Sequence, residues 1–300
     1  MFRLILPMIS LLLAAPAADT VTLRYGLRPE TPYRQIFDLS FSLRMDAEGT
    51  DPDTGESARQ TLKSLEQTRA VTVSVITGSE GENGTPVEWS LSEVTGATIT
   101  DGRAVPAAGL EKLAGLKLGQ GRMLLDRTAV EGDIAAAEAA GHIPGLKERL
   151  LQMLPVLPEQ PLTIGASFEV PAGLEVPGPP GQGQWRVESN MIYTLERLTE
   201  AEAVFDVKQE ISMTSGEEAG AEPSMTLSGS SDGSATFDRR EGLFSSVEMQ
   251  TTVEMVLRRM APRPSGEGGV ATIPIRIVST VKGPIRYRME RVEEEPGQSR

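Results

Sequence analysis

The sequence predicts a mainly β protein with a minority of helix: a long-stranded, strongly curved antiparallel sheet or half-barrel, with short helices packed on one face. Three observations predict it. Apolar and polar residues alternate over thirteen positions from Tyr33 to Met45. Similar alternation recurs in both halves of the chain. The only helical periodicity is short and lies between those halves.

In the first segment Tyr33, Phe37, Leu39, Phe41, Leu43 and Met45 share one parity, and Arg34, Asp38, Ser40, Ser42 and Arg44 take the other. Successive strand side chains point to opposite faces, so this is a ribbon with one buried and one wetted side. At roughly 3.3 Å per residue it is about 40 Å long, well beyond a usual strand. A sheet of such strands must twist and curl.

Before it, Val21, Leu23 and Tyr25 alternate; after it come Val71, Val73 and Val75, then Val87, Trp89 and Leu91. "DAEGTDPDTGES" and "TGSEGENGTP" are turns by composition. In the second half the apolar positions are Trp185, Val187, Met191, Tyr193 and Leu195; Ala203, Phe205, Val207, Ile211 and Met213; Val247, Met249, Val253, Met255 and Leu257; and Ile273, Ile275, Ile277 and Val281. Pro274 and Pro284 predict an edge strand or interrupted pairing in the last run.

Helix is expected in "AAGLEKLAGL", with Leu110 and Leu113 on one side, in the alanine-rich "DIAAAEAAGH", and in "IPGLKERLLQMLP". The last places Leu146, Leu150, Met153 and Leu154 on one face and stops at Pro155. These helices would cover the concave face of the sheet. The expected organisation is a signal peptide at 1–17, a first β-rich half at 18–128, a helical connection and Pro-rich linker at 129–160, a second β-rich half at 161–291 and a disordered tail at 292–300. An internal duplication is also read: "GRMLLDR" (121–127) against "GSATFDR" (233–239), and "RQIFDLSFSL" (34–43) against "RVESNMIYTL" (186–195).

Arg3, the apolar run "LILPMISLLLAA" and the small residues Ala15 and Ala17 form a secretory signal pattern. Its apolar core is too short for a spanning anchor, and no later stretch is apolar enough. The chain is therefore expected in the periplasm or outside the cell, without a transmembrane segment after signal removal. It has no cysteine, which excludes disulfides, thiol nucleophiles and cysteine-ligated metals. The net charge of −13 opposes binding to phosphate backbones, so no nucleic-acid partner is expected. Two Trp, four Tyr and seven Phe are too few for the aromatic girdles of an outer-membrane barrel. By the same scarcity the core is expected to be aliphatic.

Candidate chemistry is thin. Gly229-Ser230-Ser231-Asp232-Gly233 fits a G-x-S-x-G pattern, but it lies between strands and the only histidine, His142, precedes it. Asp51, Asp53 and Glu56 lack the further acidic positions of a calcium loop. Glu217-Glu218 and the Glu290–Glu295 run have no apolar setting to raise a pKa. No catalytic residue, metal site or cofactor is expected. Methionines on the apolar faces suit an adaptable greasy surface, so the ligand-facing candidates are Phe37, Leu39, Phe41, Met191, Met249 and Met255.

"LRYGLRPETPYR", "LPVLPEQPLTIGASFEVP" and "GSATFDRREGLFSSVEMQTTV" resemble an uncharacterised domain-of-unknown-function family of secreted bacterial β-rich proteins. Leu154-Pro155, Leu157-Pro158, Pro161, Gly165, Ser167 and Phe168 match its pattern, while Ala166 and Phe168 depart from its usual Asp and Trp. The resemblance spans most of residues 20–260 and implies a secreted β protein with no catalytic residues. The architecture is also similar, by fold analogy, to the half-barrels of periplasmic lipoprotein carriers. The functional expectation is an exported non-enzymatic binding protein of the bacterial envelope, holding an apolar or lipid-like ligand or a hydrophobic partner segment on a concave sheet face. The alternative is an envelope scaffold or interaction protein with a self-filled core.

Overall fold

The computed structural model describes residues 20–50, 57–100, 103–134, 150, 154–177, 184–214, 224–264 and 270–293. The expected signal peptide lies outside them, as do His142, the Asp51–Glu56 loop, Glu217-Glu218 and most of the two helices expected between 132 and 155.

The strands in chain order are β1 (Thr20–Val21), β2 (Pro32–Thr50), β3 (Ser57–Thr77), β4 (Thr85–Thr100), β5 (Arg103–Pro106), β6 (Lys117–Met123), β7 (Val130–Ile134), β8 (Leu162–Thr163), β9 (Ser167–Pro177), β10 (Gln184–Leu198), β11 (Glu202–Thr214), β12 (Ser224–Asp238), β13 (Leu243–Pro264) and β14 (Val270–Arg291). β1 and β8 pair with each other; the remaining twelve form one antiparallel sheet. Its order is β7-β6-β4-β3-β2-β14-β13-β12-β11-β10-β9, with β5 also paired to β4. Two meanders are thus fused where the first long strand meets the last: Phe37 faces Tyr287 and Leu43 faces Val281. β7 and β9 are the two edges, and the sheet is not closed into a barrel.

Alternation sets the faces. Along β2, Tyr33, Gln35, Phe37 and Leu39 are buried while Arg34, Asp38 and Ser40 are exposed. Register carries the inner parity across the sheet, so Phe37, Tyr287, Val247, Ala235, Phe205 and Leu195 form one cross-strand row. Register shifts at Met45/Asp46, Thr72/Val73, Trp89/Ser90, Leu195/Arg197 and Thr236/Phe237 add local bend. Both wings contribute to a single apolar cluster, from Trp89 and Leu118 on one side to Phe168 and Tyr193 on the other. Wings so far apart in strand order share one core, together with the irregular chain that fills it, only if the sheet curls.

The core fills one end, the base, where β2 begins and β14 ends. Its filler is irregular chain. Val21, Leu23, Tyr25 and Leu27 enter from one segment, and Leu154, Leu157 and Leu162 from another. The Tyr25 backbone N–H donates to the Arg127 carbonyl, Gly26 N–H to Gly242, and Leu157 N–H to Thr128, at 2.7–2.8 Å. The Tyr25 hydroxyl donates to the Pro155 carbonyl at 2.7 Å. The alternation of Val21, Leu23 and Tyr25 was therefore legible, but beyond β1 this segment bonds to turns and not to a neighbouring strand.

Several expectations are corrected. "AAGLEKLAGL" forms only one 3-10 turn, Leu110–Leu113, which starts after Gly109 in the left-handed region (φ 86) and ends at the extended Ala114. Val130–Ile134, expected to begin the helical connection, is a strand paired to β6. Leu150, within the expected helix that ends at Pro155, is helical; it and Leu154 join the core, 1% and 4% exposed. β14 is the middle of the sheet and not an edge. Its prolines sit where pairing lapses: Pro274 lies just past the last β2 partner, Ile275 with Gly49, and Pro284 falls in a gap between two paired stretches. The duplication fails on direction. β6 runs antiparallel to β2, three hairpin steps away, while β12 runs parallel to β10, two steps away. No single superposition matches both pairs of stretches.

The core is also less aliphatic than expected. The few aromatic residues concentrate in it: Trp89, Tyr25, Tyr33, Tyr193, Phe37, Phe205 and Phe244 are its largest fully buried side chains. Phe168 stacks on Tyr193 at 4.9 Å, and Phe205 meets Phe168 edge-on at 5.8 Å. The Trp89 indole lies over Gly121 and Gly132, where an added Cβ would sit 2.8–2.9 Å from the ring.

All four tyrosines have phenol pKa values raised above 10 by burial. An acid raised in the folded state favours the neutral form there, so its contribution is complete below about pH 10 and is lost as pH rises. In alkaline titration the phenolate absorbance is expected to appear together with loss of the β circular-dichroism signal. Phenolate signal from a folded protein near pH 10 would contradict this burial.

Candidate functional site

Beyond the base the inner face continues towards the hairpin tips. One row there carries Leu65, Leu43, Val281, Val253 and Ile211; the next carries Met45, Ser279, Met255, Leu227 and Met213. Leu65 and Met213 are buried, but Leu43, Val281, Val253, Ile211, Met45, Met255 and Leu227 are only half-buried. The base is packed by its own chain; this half is an apolar trough.

A polar ladder marks the boundary on one wing. Gln209 donates to Ser189 at 2.7 Å, Ser231 donates to Gln209 at 3.0 Å, and Ser231 and Thr251 share a bond of 2.9 Å. Gln209 and Ser231 are 7% and 1% exposed, so the ladder satisfies groups that would otherwise be costly to bury. It also resolves the G-x-S-x-G stretch. Those residues lie inside β12, and the Ser231 hydroxyl is held by Gln209 and Thr251. On the other wing Phe41 and Gln67 occupy adjoining strands at this level.

The six candidates from the sequence all have inner-face parity, but they divide. Phe37, Leu39, Met191 and Met249 are 2%, 8%, 2% and 7% exposed and belong to the packed base. Phe41 and Met255 are half-buried and line the open trough. Sequence reasoning missed the ladder. Its signal was present: Gln209, Ser231 and Thr251 are polar residues in positions whose neighbours two residues away are mostly apolar or glycine.

Two cavities of about 400 and 500 Å³ lie outside the core. The first is lined by Asp38, Leu39, Ser40, Thr68, Arg69, Ala70, Thr95, Gly96, Pro284 and Arg286. The second is lined by Glu48, Gly49, Thr50, Ser57, Ala58, Arg59, Arg258, Pro274, Ile275 and Arg276. Charged and hydroxyl-bearing residues are prominent in the lining of both, and neither is a pocket of Leu, Val and Met. Beside the second, Asp46 accepts from Arg59 at 2.6 Å, Thr61 at 2.8 Å and Arg44 at 3.0 Å. These donors, Arg59 foremost, lower its pKa to about 2. Only 4% of the Asp46 side chain is exposed, yet arginine and threonine side chains on the outer face cover it, not the apolar core. No group of three or more acidic, histidine or cysteine side chains placed to hold a metal ion occurs among the described residues.

The outer face is charged on β2 and β11 to β14, where Asp38, Arg44, Lys208, Glu210, Asp232, Glu248, Glu254, Lys282, Arg286 and Arg288 are exposed, although Val256 and Val278 are buried on it towards the tips. A lipid-facing barrel wall is apolar outside and polar within; this sheet has the reverse polarity. No helix among the described residues is long and apolar enough to cross a membrane.

No protein-family model matches this sequence, and no curated protein does. Solved structures give only weak similarity. An outer-membrane channel from Pseudomonas putida F1 is 8% identical, with 89% of this chain and 98% of that one covered and a TM-score of 0.23. The P. putida toluene transporter TodX is 8% identical, with 89% and 92% covered and a TM-score of 0.21. OpdQ of Pseudomonas aeruginosa is 8% identical, with 87% and 98% covered and a TM-score of 0.16. Scores this low do not amount to a shared fold.

Proposed function

We propose that this chain is an exported, non-enzymatic binding protein of the bacterial envelope, and that the open half of its inner sheet face holds an apolar, lipid-like ligand. One observation carries the reading. Apart from Ser279, the inner face stays apolar for two further cross-strand rows beyond a core that the protein has already filled, and most of those side chains are half-buried. A greasy face that is not needed to fill the core favours a ligand. Met45 and Met255 give it an adaptable surface that suits acyl chains of varied length. The signal-like start of the sequence supports export, and the bonded state of Ser231 supports the non-enzymatic reading.

The second reading is an envelope scaffold. It is favoured by the self-packing of the base with residues 21–27 and 154–162.

Native mass spectrometry of protein purified from its host's envelope fraction separates the two. The binding reading expects an adduct of lipid mass that is lost or weakened in Met255→Glu. Ligand-free protein in every charge state would overturn it in favour of the scaffold.

A further inference from the structure

On the outer face, near the tips of the β2–β3 and β13–β14 hairpins, one cross-strand row reads Arg59, Glu48, Arg276, Arg258. Glu48 is shared: Arg276 donates to it at 2.5 Å and Arg59 lies 3.6 Å away. Arg59 and Arg44 also serve Asp46. Arg258 has no ion-pair partner among the described residues, and the residue directly opposite it on β14 is another arginine. Like charges placed so are destabilising unless an anion lies between them. The group as a whole has four arginines against two carboxylates, in a chain whose net charge is −13. Beside the row is the cavity of about 500 Å³, into which Arg59, Arg258 and Arg276 all contribute.

We propose that this cavity is an anion site for a phosphate group, with Arg258 and Arg276 as its forked donors. Directly opposed residues on antiparallel strands have Cα atoms roughly 4.5–5.5 Å apart, so two guanidinium groups reach one tetrahedral anion. Each presents the paired N–H groups that match phosphate oxygens. Glu48 orients Arg276 and Arg59 and favours a ligand whose charge the remaining arginines dominate. The site lies on the face opposite the apolar trough, so it does not rest on the reading above. A free phosphate and a phospholipid headgroup share this chemistry.

The test uses the full mature chain. Inorganic phosphate is titrated by calorimetry, and flotation is measured with phosphatidylcholine vesicles with and without phosphatidic acid. Saturable binding in either arm is expected, weakened about tenfold or more in Arg258→Ala, a loss equivalent to about one charge-assisted bond. Arg258→Lys keeps the charge without the fork and is expected to fall between the two. Arg288→Ala, on the same face about 40 Å along β14, is expected to leave binding unchanged. Binding to phosphate alone assigns a soluble ligand; flotation dependent on phosphatidic acid assigns a headgroup. No binding in either arm, or equal loss in Arg288→Ala, overturns the site.

Discussion

Gly242→Val is expected to destabilise the protein by about 4 kcal/mol or more, among the larger effects of any single substitution. Gly242 lies in the left-handed region at φ 62, and an added Cβ would stand 2.3 Å from the Gly26 nitrogen and 2.6 Å from its Cα. The backbone conformation alone costs a β-branched residue on the order of 1–3 kcal/mol. The clash adds more, because what must move is main chain. Gly26 donates to the Gly242 carbonyl at 2.8 Å, and on either side of it Tyr25 and Leu27 are fully buried. Shifting Gly26 therefore unseats the segment that fills the base. Gly109→Ala is the control: φ is also positive, at 86, but nothing lies within 4 Å of the added atom. That change is expected to cost only about 1–2 kcal/mol. Urea unfolding of both variants gives the comparison, and similar losses would mean that residues 21–27 do not dock as described.

Phe205→Ala is expected to cost about 3–5 kcal/mol, the range for deleting a fully buried aromatic side chain. Phe205 is 0% exposed, and its ring lies 5.8 Å from Phe168, 6.3 Å from Tyr193 and 6.0 Å from Phe244. These rings come from β9, β10, β11 and β13, so few neighbouring atoms are free to close the cavity. Phe41→Ala, at the half-buried edge of the trough, is expected to cost well under half as much. If it costs as much as Phe205→Ala, the trough is part of the packed core and the ligand reading falls.

The faces of this sheet were legible because period two is a local property. Every one of Phe37, Leu39, Phe41, Met191, Met249 and Met255 is on the inner parity that the sequence assigned. Depth was not legible. Met249 and Met255 lie on the same strand and face, yet the first is in the base core and the second in the trough. What separates them is the filler from residues 21–27 and 154–162, which no periodicity in β13 reports. Strand neighbours were hidden for the same reason: alternation says which side Phe37 faces, but not that Tyr287 faces it from 250 residues away. The expected helix at Leu110 failed because a two-leucine pattern is also satisfied by one 3-10 turn. Aromatic scarcity misled because a small number of large rings suffices when one end of the sheet holds most of them.

The most direct test of the central claim, that two meanders join through β2 and β14 into one sheet with a wet outer face, is a cross-strand disulfide. The chain has no cysteine of its own, so Arg34→Cys with Glu290→Cys supplies the only two thiols. These residues are register partners on the outer face, at a Cα separation of roughly 4.5–5.5 Å that a disulfide spans. Rapid, near-complete oxidation of the folded monomer is expected, with none for Gln35→Cys with Glu290→Cys, whose side chains lie on opposite faces. Failure of the first pair, or oxidation of the second instead, would contradict the account.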